Sequence, residues 1–384
     1  MPILASRAVL LPDGSLRPGV IEIKGTDVVG FTPAASPGSE LPDTVVAPGF
    51  IDLQVNGHDD VDVSVAAGAG WERMDDLLLR QGVTSWCPTL VTSPPESYGP
   101  ALLRVAEAAR RSVCGAPGGA PSIPGAHLEG PFLGALPGAH DRRWFRLPDP
   151  EWLAGLPAVV AVVTLAPELP GALDLVRTLA EAGVLVSLGH STATWAEAVA
   201  AAEAGARMVT HLFNAATPLH HREPGLVGAG LTDSRLTPSL IADLVHLHPA
   251  VLASAFRCRQ GLAADGDGEA AGDPGVALVT DAVAWRAEHL AGGRLHRRAG
   301  DAPRRADGTI AGSALTMDAA VRNAVSAGVA LPLALAAASR VPARLLGATD
   351  RGLIRTGSRA DLVVLDARLE VTASWVGGAP AWER

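Results

Sequence analysis

The stretch that decides the fold is residues 184–211, VLVSLGHSTATWAEAVAAAEAGARMVTH. Two strand-like runs, VLVSLGH and MVTH, each end on a histidine, His190 and His211. Between them Thr194 is placed to cap a helix, and Glu197 completes a capping box before the alanine-rich EAVAAAEAGA. The spacing predicts one strand–helix–strand unit. In a parallel sheet the carboxyl ends of successive strands are neighbours, so the two imidazoles face one spot.

The same texture extends in both directions. Strand-like runs recur as GFIDLQV, GVTSWCPTL, IPGAHLE, VVAVVTLAPE, VLVSLGH, MVTHLFN, LTPSLIADLV and GVALVTD. Helical stretches such as WERMDDLLLRQG, ALLRVAEAARR and LDLVRTLAEAG separate most of them. Eight such runs predict an α/β fold, a (β/α)8 barrel over residues 48–349 whose site lies at the carboxyl ends of the strands. ALTMDAAVRNAVS and LPLALAAASRVPARLLG read as closing helices. Residues 1–47 and 350–384 hold short alternating strands, too few on either side to fold alone. They are expected to pair into one small β-sandwich domain. Residues 260–275 and 291–309, rich in Gly, Asp, Arg and Pro, read as surface loops.

Composition narrows the function. The chain has 384 residues, is 48% hydrophobic and carries a net charge of −9, which argues against a nucleic-acid partner. Apolar stretches break well short of the ~20 residues of a membrane span. Cys87, Cys114 and Cys258 lie too far apart for a disulfide framework or a cysteine metal site, and a cytoplasmic setting is expected.

The strand ends carry the chemistry. Glu129 ends the third run and Asp281 the eighth. Two imidazoles and a carboxylate match a catalytic zinc-type site, and a further carboxylate can move protons, which points to a metal-dependent hydrolase. Glu129, His190 and His211 are therefore candidate ligands and Asp281 the candidate general base. The alternatives at this stage are an arginine partner for Glu129, core packing for either histidine, and helix capping by Asp281. At the end of the first run stand Gln54 and Asn56, poor ligands beside imidazole, so one metal is expected rather than two. His58 follows just past that strand end.

At these positions the chain resembles the N-acetylglucosamine-6-phosphate deacetylases of the amidohydrolase superfamily. The shared motifs are PGFIDLQVNG, CPTLVTS, HLEGPF, TLAPE, SLGHSTAT, THLFNA, REPGLVGA, IADLVH, LVTDA and IAGSALTM, in order from residue 48 to 317. Binuclear hydrolases of this architecture usually carry His-x-His where Gln54 and Asn56 stand. The resemblance implies hydrolysis of an N-acetylhexosamine 6-phosphate to acetate and the amino sugar phosphate. It implies one divalent ion held by Glu129, His190 and His211, zinc first and iron, manganese or cobalt otherwise, with Asp281 handling the water's proton. It further implies that His140 polarises the acetamide carbonyl and that Asn214 and Ala215 hold the sugar phosphate. Arg222 and His246 would form a phosphate-binding pair that reaches in from the neighbouring subunit of a homodimer. The other enzyme readings are the galactosamine epimer and a cyclic amide. A non-catalytic binding barrel would be expected to have eroded ligands, and here all four chemical positions are intact. Two stretches depart from the family: GPFLGALPGAH lacks its usual lysines, and 285–309 is arginine-rich where a β-hairpin is usual.

Overall fold

The computed structural model describes residues 2–34, 41–113, 118–263, 272–287 and 294–384. Every one of the eight expected runs forms a strand: Phe50–Val55, Val83–Val91, Ala126–Glu129, Val160–Leu165, Leu185–Leu188, Met208–Val209, Thr237–Ile241 and Ala277–Val279. They pair in chain order, each parallel to the next. Hydrogen bonds from Asp281 N–H to the Gln54 carbonyl (3.0 Å) and from Asn56 N–H to the Ala282 carbonyl (2.9 Å) join last to first. The eight strands thus form the (β/α)8 barrel.

Local chemistry sets the helices. Thr194 caps Trp195–Ala204 and the reciprocal bond with Glu197 is present, as the spacing requires. The third crossover differs, with only Pro150–Ala154 helical beyond a short 3-10 turn. The stretch LPLALAAASRVPARLLG forms two helices, Leu331–Ala338 and Arg340–Leu345. Pro342 has no N–H to bond the Ala338 carbonyl, so the helix cannot run through, and Ser339 takes a non-helical conformation (φ −135°, ψ −71°). Of the two expected loops, 264–271 and 291–293 lie outside the described residues, as does Cys114; residues 260–263 end the helix Pro249–Ala263 instead.

Strands from both termini form a separate seven-stranded sheet. Val45–Pro48 is its link, parallel to Ile3–Leu10 and antiparallel to Leu362–Leu365. The period of two divides its side chains. Val9, Val46, Leu362 and Val364 enter the small domain's own core, whereas Leu10, Ala47, Val363 and Leu365 pack into the barrel's. No helix among the described residues is long and apolar enough to cross a membrane.

Asp52, buried on the first barrel strand, accepts the Thr280 hydroxyl at 2.5 Å and the Gln54 and Thr280 N–H groups at 3.2 and 3.3 Å. Burial outweighs these bonds and raises its pKa to about 7. The folded chain therefore keeps a proton that the unfolded chain releases near 3.8. Its stabilisation is complete below that value and is lost as pH rises through about 7. Asp52→Asn should flatten the decline in Tm between about pH 4 and pH 7, measured by calorimetry on chelator-treated protein. Equal slopes in variant and wild type would place that proton elsewhere.

Candidate active site

His190, His211 and Asp281 each follow a barrel strand and each takes a left-handed backbone, with φ of 50°, 30° and 49°. Side chains other than glycine seldom adopt this region, and it persists only where surrounding bonds impose it. His211 N–H donates to Ser239 Oγ at 2.8 Å, and Asp281 N–H to the first strand. Gly189 lets His190 turn inward, since a Cβ there would stand 3.0 Å from Thr210 Cβ and 3.1 Å from Thr164 Cγ2.

The turns bring four side chains together. Glu129 Oε1 lies 3.1 Å from His190 Nε2 and 3.0 Å from His211 Nε2, and those nitrogens are 3.2 Å apart. His190 Nδ1 is 3.1 Å from the Leu136 carbonyl, which only accepts. Its proton is therefore on Nδ1, and the Nε2 lone pair faces Glu129. His140 has the opposite tautomer. Thr92 N–H donates to its Nδ1 at 3.3 Å and Thr92 Oγ1, which can also donate, lies 3.0 Å from the same nitrogen, which leaves the proton on Nε2, 3.4 Å from Glu129 Oε2. Glu129, His140 and His190 also have ligand atoms within 4.8 Å of one another. His211 Nε2, 3.0 Å from Glu129 Oε1 and 3.2 Å from His190 Nε2, stands closer to the carboxylate than His140 does, so Glu129, His190 and His211 form the tightest donor set that could hold a divalent cation.

Electrostatics agree with this. Burial pushes the Glu129 carboxyl up, but bonds with His140, His190 and His211 outweigh it and hold the group well below the usual range. Burial, with His140 adding to it, lowers His190 to about 4. Burial also opposes charge on His211, yet contact with the Glu129 carboxylate raises it overall. One proton is thus held where a carboxylate and two imidazoles converge, the position a cation takes when it displaces protons from its ligands. Asp281 is raised to about 6 by burial and by the Glu129 charge, against the pull of His211, His246 and an Asn56 hydrogen bond.

Gln54 Nε2 donates to Glu129 Oε1 at 2.9 Å and lies 3.1 Å from Asp281 Oδ1, which Asn56 Nδ2 reaches at 2.7 Å. Residue type marked these amides as poor ligands. It did not reveal that they link two carboxylates as neutral donors. Neither Glu129 nor Asp281 takes its alternative role: Glu129 meets imidazoles, and no helix follows Asp281 directly.

Asn214, Ala215, His140 and His246 line the same cavity, about 430 Å³ in volume and within the range of small-ligand sites. Asn214 Nδ2 turns back to the His211 carbonyl at 3.1 Å. His246 Nδ1 meets Asp243 Oδ2 at 2.7 Å. The expectation that His246 comes from a neighbouring subunit together with Arg222 does not fit, because His246 lies in its own chain's cavity. Arg222 is exposed outside it, with Nη1 2.8 Å from His221 Nε2. His58 is buried beyond the first strand and joins no ligand cluster among the described residues. Arg305, on the cavity wall, was not anticipated. Its signal in the sequence was the arginine-rich stretch that departs from the resemblance.

A barrel with a carboxylate and two imidazoles at its strand ends defines a class of metal-dependent hydrolases. The amidohydrolase family model matches residues 45–383, and the chain belongs to that family. An N-acetylgalactosamine-6-phosphate deacetylase of Escherichia coli O157:H7 is 37% identical, covering 98% of each chain. The N-acetylglucosamine-6-phosphate deacetylase of Bos taurus is 40% identical over 88% of this chain and 84% of its own. A Mycobacterium smegmatis N-acetyl-D-glucosamine-6-phosphate deacetylase variant, solved with N-acetyl-D-glucosamine 6-phosphate, superposes with a TM-score of 0.82 at 34% identity, covering 99% and 98% of the two chains.

The purified chain should hold close to one tight divalent ion, and His190→Ala or His211→Ala should lose it while keeping native circular dichroism. Elemental analysis after dialysis checks this; two tight equivalents in the wild type would refute the single site.

Proposed function

We propose that the chain hydrolyses the acetamide of N-acetyl-D-glucosamine 6-phosphate, giving acetate and D-glucosamine 6-phosphate, a step of amino sugar catabolism. The observation that carries this reading is the buried meeting of Glu129, His190 and His211 beside Asp281 and a proton-bearing His140. The relatives that span nearly the whole chain carry deacetylase names.

Glu129, His190 and His211 would hold one divalent ion, zinc in the first instance, with iron, manganese and cobalt open to the same donors. When bound, the ion supplies Lewis acidity that polarises the carbonyl and lowers the pKa of water. Asp281 accepts the proton of the attacking water, then delivers it to the amine nitrogen as the C–N bond breaks. His140 Nε2–H donates to the acetamide oxygen where negative charge develops. Gln54 and Asn56 keep the Asp281 carboxylate aimed and share its charge. Asn214, Ala215 and His246 face the sugar phosphate. Arg222, outside its own cavity, serves the phosphate of a second copy in a homodimer of the cytoplasm.

A second reading, the galactosamine epimer, is favoured by the name of the 37% identical relative. Acetate release from the two epimeric N-acetylhexosamine 6-phosphates decides between them, with the glucosamine epimer expected to be faster. In that assay Asp281→Asn should keep metal and KM but lose about 10²–10⁴-fold in kcat. Retention of half the activity would assign the base elsewhere.

Sharing of Arg222 has its own test. Arg222→Ala and Asp281→Asn subunits should each be weak alone on phosphorylated substrate and regain activity when mixed, because each mixed dimer contains one intact composite site. Proven subunit exchange without recovery would place the whole phosphate site in one chain.

A further inference from the structure

The cavity wall carries three carboxylates, Asp62, Glu129 and Asp281, in a chain of net charge −9. A divalent ion at Glu129 offsets two of those charges and leaves nothing for a phosphate dianion. Burying such a group without a cationic partner is costly. Arg222 stands outside the cavity of its own chain. Among the described residues that line it, one side chain carries a permanent positive charge, Arg305.

Arg305 is fixed by its turn. Gly308 N–H donates to the Arg305 carbonyl at 3.0 Å, and Arg305 N–H to the Thr309 carbonyl at 2.9 Å. Gly308 takes the left-handed φ of 87° that this tight return requires. His296, Arg304 and Ile310 pair as short antiparallel bridges on either side. The two adjacent arginines are then differently placed. Arg304 is engaged by Asp301, through Nε and Nη2 at 3.0 Å each, and by the Gly308 carbonyl. Arg305 is half-buried, and among the described residues its guanidinium makes no hydrogen bond or ion pair. It stands within electrostatic reach of two carboxylates, Asp141, which Arg143 already holds through Nε at 3.0 and 3.1 Å, and Asp307, which accepts the Thr309 N–H at 2.9 Å.

We propose that Arg305 is an in-chain phosphate-binding residue of this site, its free guanidinium projecting from the turn at 305–308 onto the substrate's phosphate oxygens. The assignment rests on the sugar-phosphate reading above and adds to it a contact that needs no second subunit. A guanidinium presents paired donors that match phosphate oxygens, which an ammonium does only as a point charge.

The test compares wild type, R305Q and R305K, metal-loaded, on N-acetylglucosamine 6-phosphate and on unphosphorylated N-acetylglucosamine, with inorganic phosphate as competing inhibitor. R305Q should raise KM for the phosphorylated sugar and Ki for phosphate by roughly 10- to 100-fold. It should leave kcat and turnover of the unphosphorylated sugar within about twofold, and R305K should recover part of the loss. Unchanged KM and Ki in R305Q, or equal losses on both sugars, would overturn the assignment. A wild type that turns over the two sugars equally well would instead refute the sugar-phosphate reading, and Arg305's role with it.

Discussion

One buried negative charge organises this molecule. Glu129 is withdrawn from water, and alone in that setting a carboxylate would be neutralised by taking up a proton. It stays ionised because Gln54 and His211 converge on one oxygen, which His190 Nε2 also faces, and His140 approaches the other. Those partners come from the first, fifth and sixth barrel strands and from the loop after the third. No two neighbouring strands could supply them. The closed parallel barrel is therefore the condition for keeping Glu129 charged, and its charge in turn draws the imidazoles into ligand geometry.

The level beneath makes the arrangement rigid. Thr164 Oγ1 lies 2.7 Å from His127 Nε2 and 2.7 Å from Thr210 Oγ1, which meets Ser187 Oγ at 2.5 Å. His127 closes the chain through Nδ1 to the Leu53 carbonyl at 2.9 Å, and burial keeps it neutral by lowering it to about 4. This polar layer joins the third to sixth strands one step below the ligands. Buried polar groups of this kind favour one arrangement when fully bonded and are costly when they are not. Left-handed turns at His190 and His211 need such a base, because strained backbone persists only where its surroundings over-determine it.

Much of this was legible in the residues, for a physical reason. Strand and helix periods differ, so alternating runs and the Thr194–Glu197 box identify the barrel without tertiary information. Histidines at matching strand ends meet because parallel crossovers make those ends neighbours. What remained hidden depends on atoms rather than residue types. Gln54 and Asn56 could be excluded as good ligands, but that their amide hydrogens join Glu129 to Asp281 follows only from rotamers. The tautomers of His140 and His190 are set by Thr92 N–H and the Leu136 carbonyl, backbone groups with no signature in the sequence. His246 and Arg222 share one family role by resemblance, yet one lies inside its own cavity and the other outside, a difference of chain path. The strand Val45–Pro48 was likewise hidden, because its apolar residues fit either the barrel or the terminal sheet.

The division of labour in the fold follows from these depths. The terminal sheet anchors the barrel through one face and closes its own core with the other. Glu129, His190 and His211 sit at strand ends, buried and cross-braced, where substitution would expose an uncompensated charge. Around the cavity stand the turn bearing Arg305, the loop bearing His140, and the segment after the sixth strand. Relatives named for glucosamine and galactosamine phosphates match this chain at 40% and 37% identity. That is the pattern expected when acetamide chemistry is fixed in the barrel and the sugar is read by loops. The Glu129–His190–His211 set is braced by the barrel itself, so loops at the rim can diverge without disturbing the charge balance on which the barrel depends.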